Sequence, residues 1–158
     1  DGYDIIIRIG KLEDSGSVAK KLSNIKHGFF ASPSFLKMYS MINSPEDLRS
    51  VPAVIYRNTS PTLNYIDVGG EERSMNMSPS LYANSIAMLV GGVLNGLGFA
   101  GLPMFAAEEH AKSGKLIQIL KDYTPHPDLD VFVIYPDKRF LPLKVRKFID
   151  LLSKHFST

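Results

Sequence analysis

The 158-residue chain contains no cysteine, and that absence removes disulfide frameworks, cysteine nucleophiles and cysteine-rich zinc sites together. A reducing, cytoplasmic setting fits such a chain. No apolar run approaches the roughly 18 to 20 residues a membrane-spanning helix needs. The longest candidate, residues 86–94, is interrupted by Gly91 and Gly92. Asp1, Gly2, Tyr3 and Asp4 carry no basic stretch of the kind that opens a secretory signal. Charge of one sign is scarce as well. With 18 basic against 16 acidic side chains the formal net charge is +2, too even to argue for nucleic-acid binding by this segment.

What remains is the composition of one ordinary globular domain, 44% hydrophobic and 22% charged, long enough to bury about 70% of its extended-chain surface. The β-branched run at residues 5–9 does not alternate apolar with polar, so it reads as a strand buried on both faces. Such a strand needs neighbours on its sheet and helices over it, so residues upstream of Asp1 are expected to belong to the same domain. Further strands are expected at residues 17–22, 28–31, 53–57, 99–102, 116–120 and 130–135. A hairpin is expected from 65–68 and 73–77 around Gly69 and Gly70. Ser32-Pro33 and Ser44-Pro45 are helix starts. A buried central helix spans 85–95, with Asn84 as N-cap and Gly96 closing it. Pro103 opens another helix that runs to Lys112. Residues 142–156 form an amphipathic helix with Val145, Phe148, Ile149, Leu152 and Phe156 on one face. Alternating strands and helices predict an α/β fold with a largely parallel sheet.

Several motifs carry two readings each. Gly96-Leu97-Gly98-Phe99-Ala100-Gly101 matches a dinucleotide fingerprint, but the helix precedes it and the strand follows, the reverse of the required order. It reads as a tight helix-to-strand turn. Asn84 and Ser85, like Ser32 and Ser34, either cap their helices or offer backbone N–H groups to an anion. Arg8, alone in an isoleucine run, either reaches a ligand at the end of its strand or pairs with Asp1, Asp4 or Glu13. His27, His110, His126 and His155 show no metal-ligand spacing, and no nucleophile elbow or phosphate loop is present. No catalytic residue, cofactor or metal is expected.

In order along the chain stand Asp1-Gly2-Tyr3-Asp4-Ile5-Ile6-Ile7-Arg8-Ile9-Gly10, Ala31-Ser32-Pro33, Ser44-Pro45-Glu46-Asp47-Leu48, Gly96-Leu97-Gly98-Phe99-Ala100-Gly101-Leu102-Pro103, Ser113-Gly114-Lys115-Leu116 and Val145-Arg146-Lys147-Phe148-Ile149-Asp150. Together they resemble the effector-binding domain of LysR-type transcriptional regulators across essentially the whole chain. The resemblance implies a periplasmic-binding-protein-like (type II) α/β fold. Two Rossmann-like lobes are joined by two crossover strands, with a small-molecule cleft between them. Lobe I would hold residues 1–26 and 127–158, incomplete for want of a leading segment, and lobe II residues 27–126. By the same resemblance the cleft is lined by Arg8, Ile9, Gly10, Ser32, Ser34, Asn84 and Ser85, with Phe99 and Pro103 as apolar walls. The implied partners are an anionic small-molecule effector, further copies in a homodimer or homotetramer, and promoter DNA through an N-terminal helix-turn-helix outside this chain. No membrane is implied. Ser85 stands where aspartate is frequent in the subgroup this sequence most resembles, Ser50 where histidine often follows the Pro-Glu-Asp-Leu turn, and the common hairpin tryptophan is absent. These departures bear on the effector, not on the fold. The alternative is a periplasmic solute-binding protein of the same fold, a transport component. An enzyme on this fold would need catalytic residues from outside the chain.

Overall fold

The computed structural model describes residues 3–12, 17–57, 59–125, 129–136 and 141–156. Its first elements are β1 (Ile6–Ile9), β2 (Ser17–Ile25), β3 (His27–Ala31), α1 (Pro33–Met38), a 3-10 helix (Pro45–Ser50), β4 (Pro52–Tyr56), β5 (Thr62–Ile66) and β6 (Glu72–Asn76). They are followed by β7 (Ser78–Ala83), α2 (Ile86–Leu94), β8 (Ala100–Pro103), α3 (Met104–Lys112), β9 (Ile117–Ile119), β10 (Thr124–Pro125), β11 (Leu129–Pro136) and α4 (Leu143–Phe156). The chain divides into two compact units, residues 1–25 with 128–158, and residues 26–127.

In the first unit β11 is flanked by β1 and β2, and both pairings are antiparallel. Alternation along β11 turns Val131 and Val133 inward, where they meet Leu22, Val145 and Ile149. Among the described residues β1 pairs with β11 alone, and Ile6, Ile7 and Ile9 are 50%, 51% and 54% exposed, so the burial expected of this strand is not met within them. A run of isoleucines marks a strand, but burial on both faces requires elements over both, and the described residues provide none there. Helix α4 buries a narrower stripe than predicted. Val145 and Ile149 are buried, whereas Phe148 is 45% exposed, because three residues on from Val145 it lies about 60° round the helix.

The second unit is built on β3, whose adjacent Phe29 and Phe30 point to opposite sides of the sheet and nucleate one apolar layer each. On one side Phe30 packs with Leu89, Val90 and Val93 of α2 and Ala107 of α3. On the other, Phe29 packs with Phe35 of α1, Leu48 of the 3-10 helix, and Leu63, Tyr65 and Met75 of the β5–β6 hairpin. Sheet pairing corrects the expected largely parallel arrangement. Only β4–β7 and the Ala53–Phe99 bridge are parallel among the described residues, while β3–β8, β3–β9, β5–β6 and β5–β10 are antiparallel. Alternation of strands and helices in a sequence does not reveal strand direction. Two crossovers impose parallel pairing here, β4 to β7 through the β5–β6 hairpin and β7 to β8 through α2, placing β8 and β7 on either side of β4.

Local chemistry explains most boundaries. The hairpin forms five residues wide around Asp67, whose carboxylate accepts from the N–H groups of Gly69 and Glu71. Strand β7 was not predicted, since Ser78-Pro79-Ser80 reads as a loop by composition. Ser44-Pro45 starts a 3-10 helix, not an α-helix. Ser85, not Asn84, caps α2, and the helix is not buried throughout, since Ile86, Ala87 and Met88 are exposed. Gly96 closes α2 at φ +73, and a Cβ on Gly98 would lie 2.7 Å from the carbonyl oxygen of Pro52. The glycine-rich segment is thus the tight helix-to-strand turn that its order implied.

Candidate functional site

Strand directions in the second unit define two ends of its sheet. β4, β7 and β8 run one way and β3 the other, so the ends of β4, β7 and β8 share one edge with the start of β3. His27 pairs with Pro103 there. The end of β3 lies at the opposite edge with the starts of the other three, about 17 Å away for a five-residue strand. That separation splits the six residues of this unit that are expected to contact an effector.

Ser32, Ser34 and Phe99 belong to the far edge. Ser32 is 2% exposed. Its hydroxyl oxygen accepts from the Phe35 N–H at 3.2 Å and shares a hydrogen bond with the Ser34 hydroxyl at 2.9 Å. Both hydroxyls lie beside Gly96 at the C-terminal end of α2. Phe99 is fully buried, with its ring edge-on to Phe29 at 6.5 Å. Ser32 caps a helix and Phe99 fills a core, while Ser34 is exposed in the first turn of α1.

Asn84 and Ser85 stand exposed at the other edge, where Pro103 is buried. The Ser85 hydroxyl oxygen accepts from the Met88 N–H at 3.2 Å, and Asn84 through Met88 are all exposed. The nine-residue α2 thus presents an open N-terminal turn, where backbone N–H groups and the helix dipole favour negative charge. Sequence reasoning missed Arg57. Its N–H donates to the Ala83 carbonyl at 2.7 Å, which holds it one strand away from Asn84. Its exposed side chain makes no hydrogen bond or ion pair with a described residue. The signal was available, because Arg57 ends a predicted strand as Arg8 was thought to do. Apolar side chains surround this edge, with Ile86, Met88, Met104 and Phe105 all exposed.

Arg8, Ile9 and Gly10 lie in the first unit. Gly10 has φ +95 and donates its N–H to the Asp130 carbonyl at 2.8 Å, which ends β1 with a sharp turn. The Arg8 Nε donates to the Lys11 carbonyl at 3.1 Å. Of the carboxylates proposed for it, Asp4 bonds Lys144 at 2.9 Å, while Asp1 and Glu13 lie outside the described residues. His126 lies outside them too. Nearby, the Asp130 carboxyl is held below its usual range by hydrogen bonds from Lys21 and Asn24. Among the described residues no His, Asp and Glu side chains cluster as metal ligands, and no helix is long and apolar enough to cross a membrane.

Comparison with known proteins gives a consistent result. The family model described as the LysR substrate binding domain matches residues 1–157. A helix-turn-helix-type transcriptional regulator of Haemophilus influenzae is 32% identical over 146 residues, covering 92% of this chain and 50% of its own. The regulator YhjC of Escherichia coli K12 is 32% identical over 159 residues, covering 97% and 52%. The regulatory domain of CrgA, a LysR-type transcriptional regulator from Neisseria meningitidis, superposes with a TM-score of 0.80 at 27% identity, covering 97% of this chain and 75% of that one. The chain spans about half the length of the curated relatives it matches. These similarities leave the solute-transport alternative without support.

Proposed function

The chain belongs to the LysR substrate-binding domain family, with its periplasmic-binding-protein-like fold, and from that premise we propose that it senses a small anionic effector for a transcriptional regulator and performs no chemistry on it. Its lobes are taken as residues 1–26 with 127–158 and residues 27–126. A helix-turn-helix outside this chain would meet promoter DNA in the cytoplasm, as part of a homodimer or homotetramer. The relatives' names support that assignment, since each is a regulator of the helix-turn-helix type.

One observation carries the anionic reading: the first turn of α2 is solvent-exposed while the rest of the helix is packed, with the uncommitted Arg57 on the adjacent strand end. We assign effector contact on this unit to the exposed Asn84, Ser85 and Arg57, with the buried Pro103 behind them. Ser32 and Phe99, both buried, and Ser34, exposed at the opposite edge, are given no contact in this reading. Arg8, Ile9 and Gly10 are retained from the family resemblance. An effector works here only through a difference in affinity between two conformational states, so binding and regulatory response should fall together.

Calorimetry of the whole protein against a panel of small carboxylates and phosphate esters tests this reading. Asn84→Ala and Ser85→Ala are expected to weaken effector binding several-fold while the protein stays folded. Unchanged affinity in both variants would remove the site from this edge. Chemical turnover of a bound ligand would return the enzyme reading.

A further inference from the structure

The second unit contains a cavity that the effector reading does not use. It has a volume of about 260 Å³ and is lined by Arg49, Thr62, Ser74, Met75 and Asn76. Hairpin periodicity builds it. Leu63, Tyr65 and Met75 turn into the core, leaving Thr62, Ser74 and Asn76 on the opposite, exposed face together with Asn64 and Glu72. Arg49 comes from the 3-10 helix, where its carbonyl is fixed by the Ser78 hydroxyl at 3.1 Å. Ser78 begins β7 and Asn84 follows its end, so cavity and effector edge are about 20 Å apart.

Hydrogen-bond accounting shows what the cavity is short of. Among the described residues Arg49 is the only charged one lining it, and its guanidinium makes no hydrogen bond or ion pair with a described residue. Of the neighbouring acids, Glu46, Asp47, Asp67 and Glu71 have partners elsewhere, and Glu72, two residues before Ser74 on the same strand face, does not line the cavity. Asp47 accepts from the N–H groups of Asn43 and Ser44 and from the Ser44 hydroxyl, which together hold its carboxyl below the usual range. Glu46 accepts from the Tyr65 hydroxyl at 3.3 Å, and Asp67 and Glu71 both pair with Arg73. Within the cavity the Thr62 hydroxyl donates to the Asn76 Oδ1 at 3.2 Å, which leaves the Asn76 amide nitrogen as a donor. The Ser74 hydroxyl makes no hydrogen bond to a described residue. A guanidinium, an amide N–H₂ and a hydroxyl therefore face one solvent-open space without a protein acceptor among the described residues, and water fills their hydrogen bonds until an anion displaces it.

We propose that this cavity is a second ligand site, distinct from the effector edge, that binds the carboxylate of a small organic acid through Arg49, Ser74 and Asn76. A planar carboxylate matches the guanidinium fork with two parallel hydrogen bonds, and one positive charge suits a monoanion. The volume lies below the about 300–1,000 Å³ of sites for drug-sized ligands, so the ligand has few heavy atoms.

Acetate and its neutral isostere acetamide are the probes, titrated into the ¹⁵N-labelled whole protein while the Asn76 side-chain amide and the Arg49 Nε–H are followed by NMR. Saturable shifts with acetate and none with acetamide are expected. Arg49→Gln should weaken acetate binding at least tenfold, and Ser74→Asp, which places a carboxylate inside the cavity, should abolish it. Both positions are exposed, so neither change should unfold the protein. Ser85→Ala should leave these shifts unaltered, which separates this site from the effector edge. Equal responses to acetate and acetamide, no saturation, or indifference to Arg49→Gln would overturn the proposal.

Discussion

Two helix starts in the second unit look alike in sequence and serve different purposes. At α1 and at α2 a serine N-cap accepts the N–H three residues ahead, at 3.2 Å in both. Ser32 is sealed inside the protein, whereas Ser85 and the three residues after it are open to solvent. Hydrogen-bond satisfaction does not separate them, since both turns are capped equally well. Solvent access does, and it follows from strand direction. Because β3 runs against β4, β7 and β8, the helix that follows β3 starts at the opposite edge of the sheet from the helix that follows β7. A capping serine thus marks a candidate anion site only once strand direction is known.

The comparison breaks most forcefully at the sealed edge. Phe99→Ala removes a fully buried ring from the layer containing Phe29, Phe35 and Leu48. Its expected cost is about 3–5 kcal/mol of unfolding free energy, read from urea denaturation. Gly98→Ala follows, because its new methyl group would meet the Pro52 backbone, which has no rotamer in which to yield. A loss of about 1–3 kcal/mol is expected on the same measurement. In both variants the molecules that remain folded should bind effector with unchanged affinity. A specific loss of affinity would return Phe99 to the site.

How far the sequence could be read depended on whether the signal was local. Helix ends were legible, because Ser32-Pro33 and the Gly96 turn are chosen by backbone conformation and orphan N–H groups within a few residues. Core membership of Phe29, Phe30 and Val145 was legible from periodicity. Strand direction was not, since parallel and antiparallel strands bury similar residues, so the sequence did not show that Ser32 and Ser85 lie at opposite edges of the sheet. β7 escaped for another reason. Its Ser78-Pro79-Ser80 opening has poor strand propensity and is held by tertiary contacts, including hydrogen bonds from the Ser80 hydroxyl to the carbonyls of Ala53 and Leu97. Family resemblance supplied the fold, but it could not say which of the matched serines face a ligand.

Ser32→Ala sharpens the contrast at lower cost. The substitution removes the oxygen that accepts the Phe35 N–H and leaves Ser34 without its hydroxyl partner. A loss of about 1 kcal/mol is expected, seen as a lower urea midpoint with an unchanged slope. Effector affinity should not move. If it falls, the sealed edge communicates with the ligand in a way the geometry does not provide.

The smallest expected change in stability gives the cleanest reading of the open edge. Ser85→Ala would mix two effects, since it removes both a helix cap and a proposed ligand contact. Ser85→Gly separates them, because glycine at an N-cap costs only a few tenths of a kcal/mol and leaves the first-turn N–H groups exposed. The unfolding curve should barely shift. Effector binding should still weaken several-fold, because the hydroxyl is gone while the helix dipole and Arg57 remain. Raising the salt concentration should weaken binding further in wild type and variant alike, since the remaining attraction is between exposed charges. Salt-independent binding would mean that the effector is held by the apolar rim of Ile86, Met88 and Phe105, so that the ligand sought should be neutral.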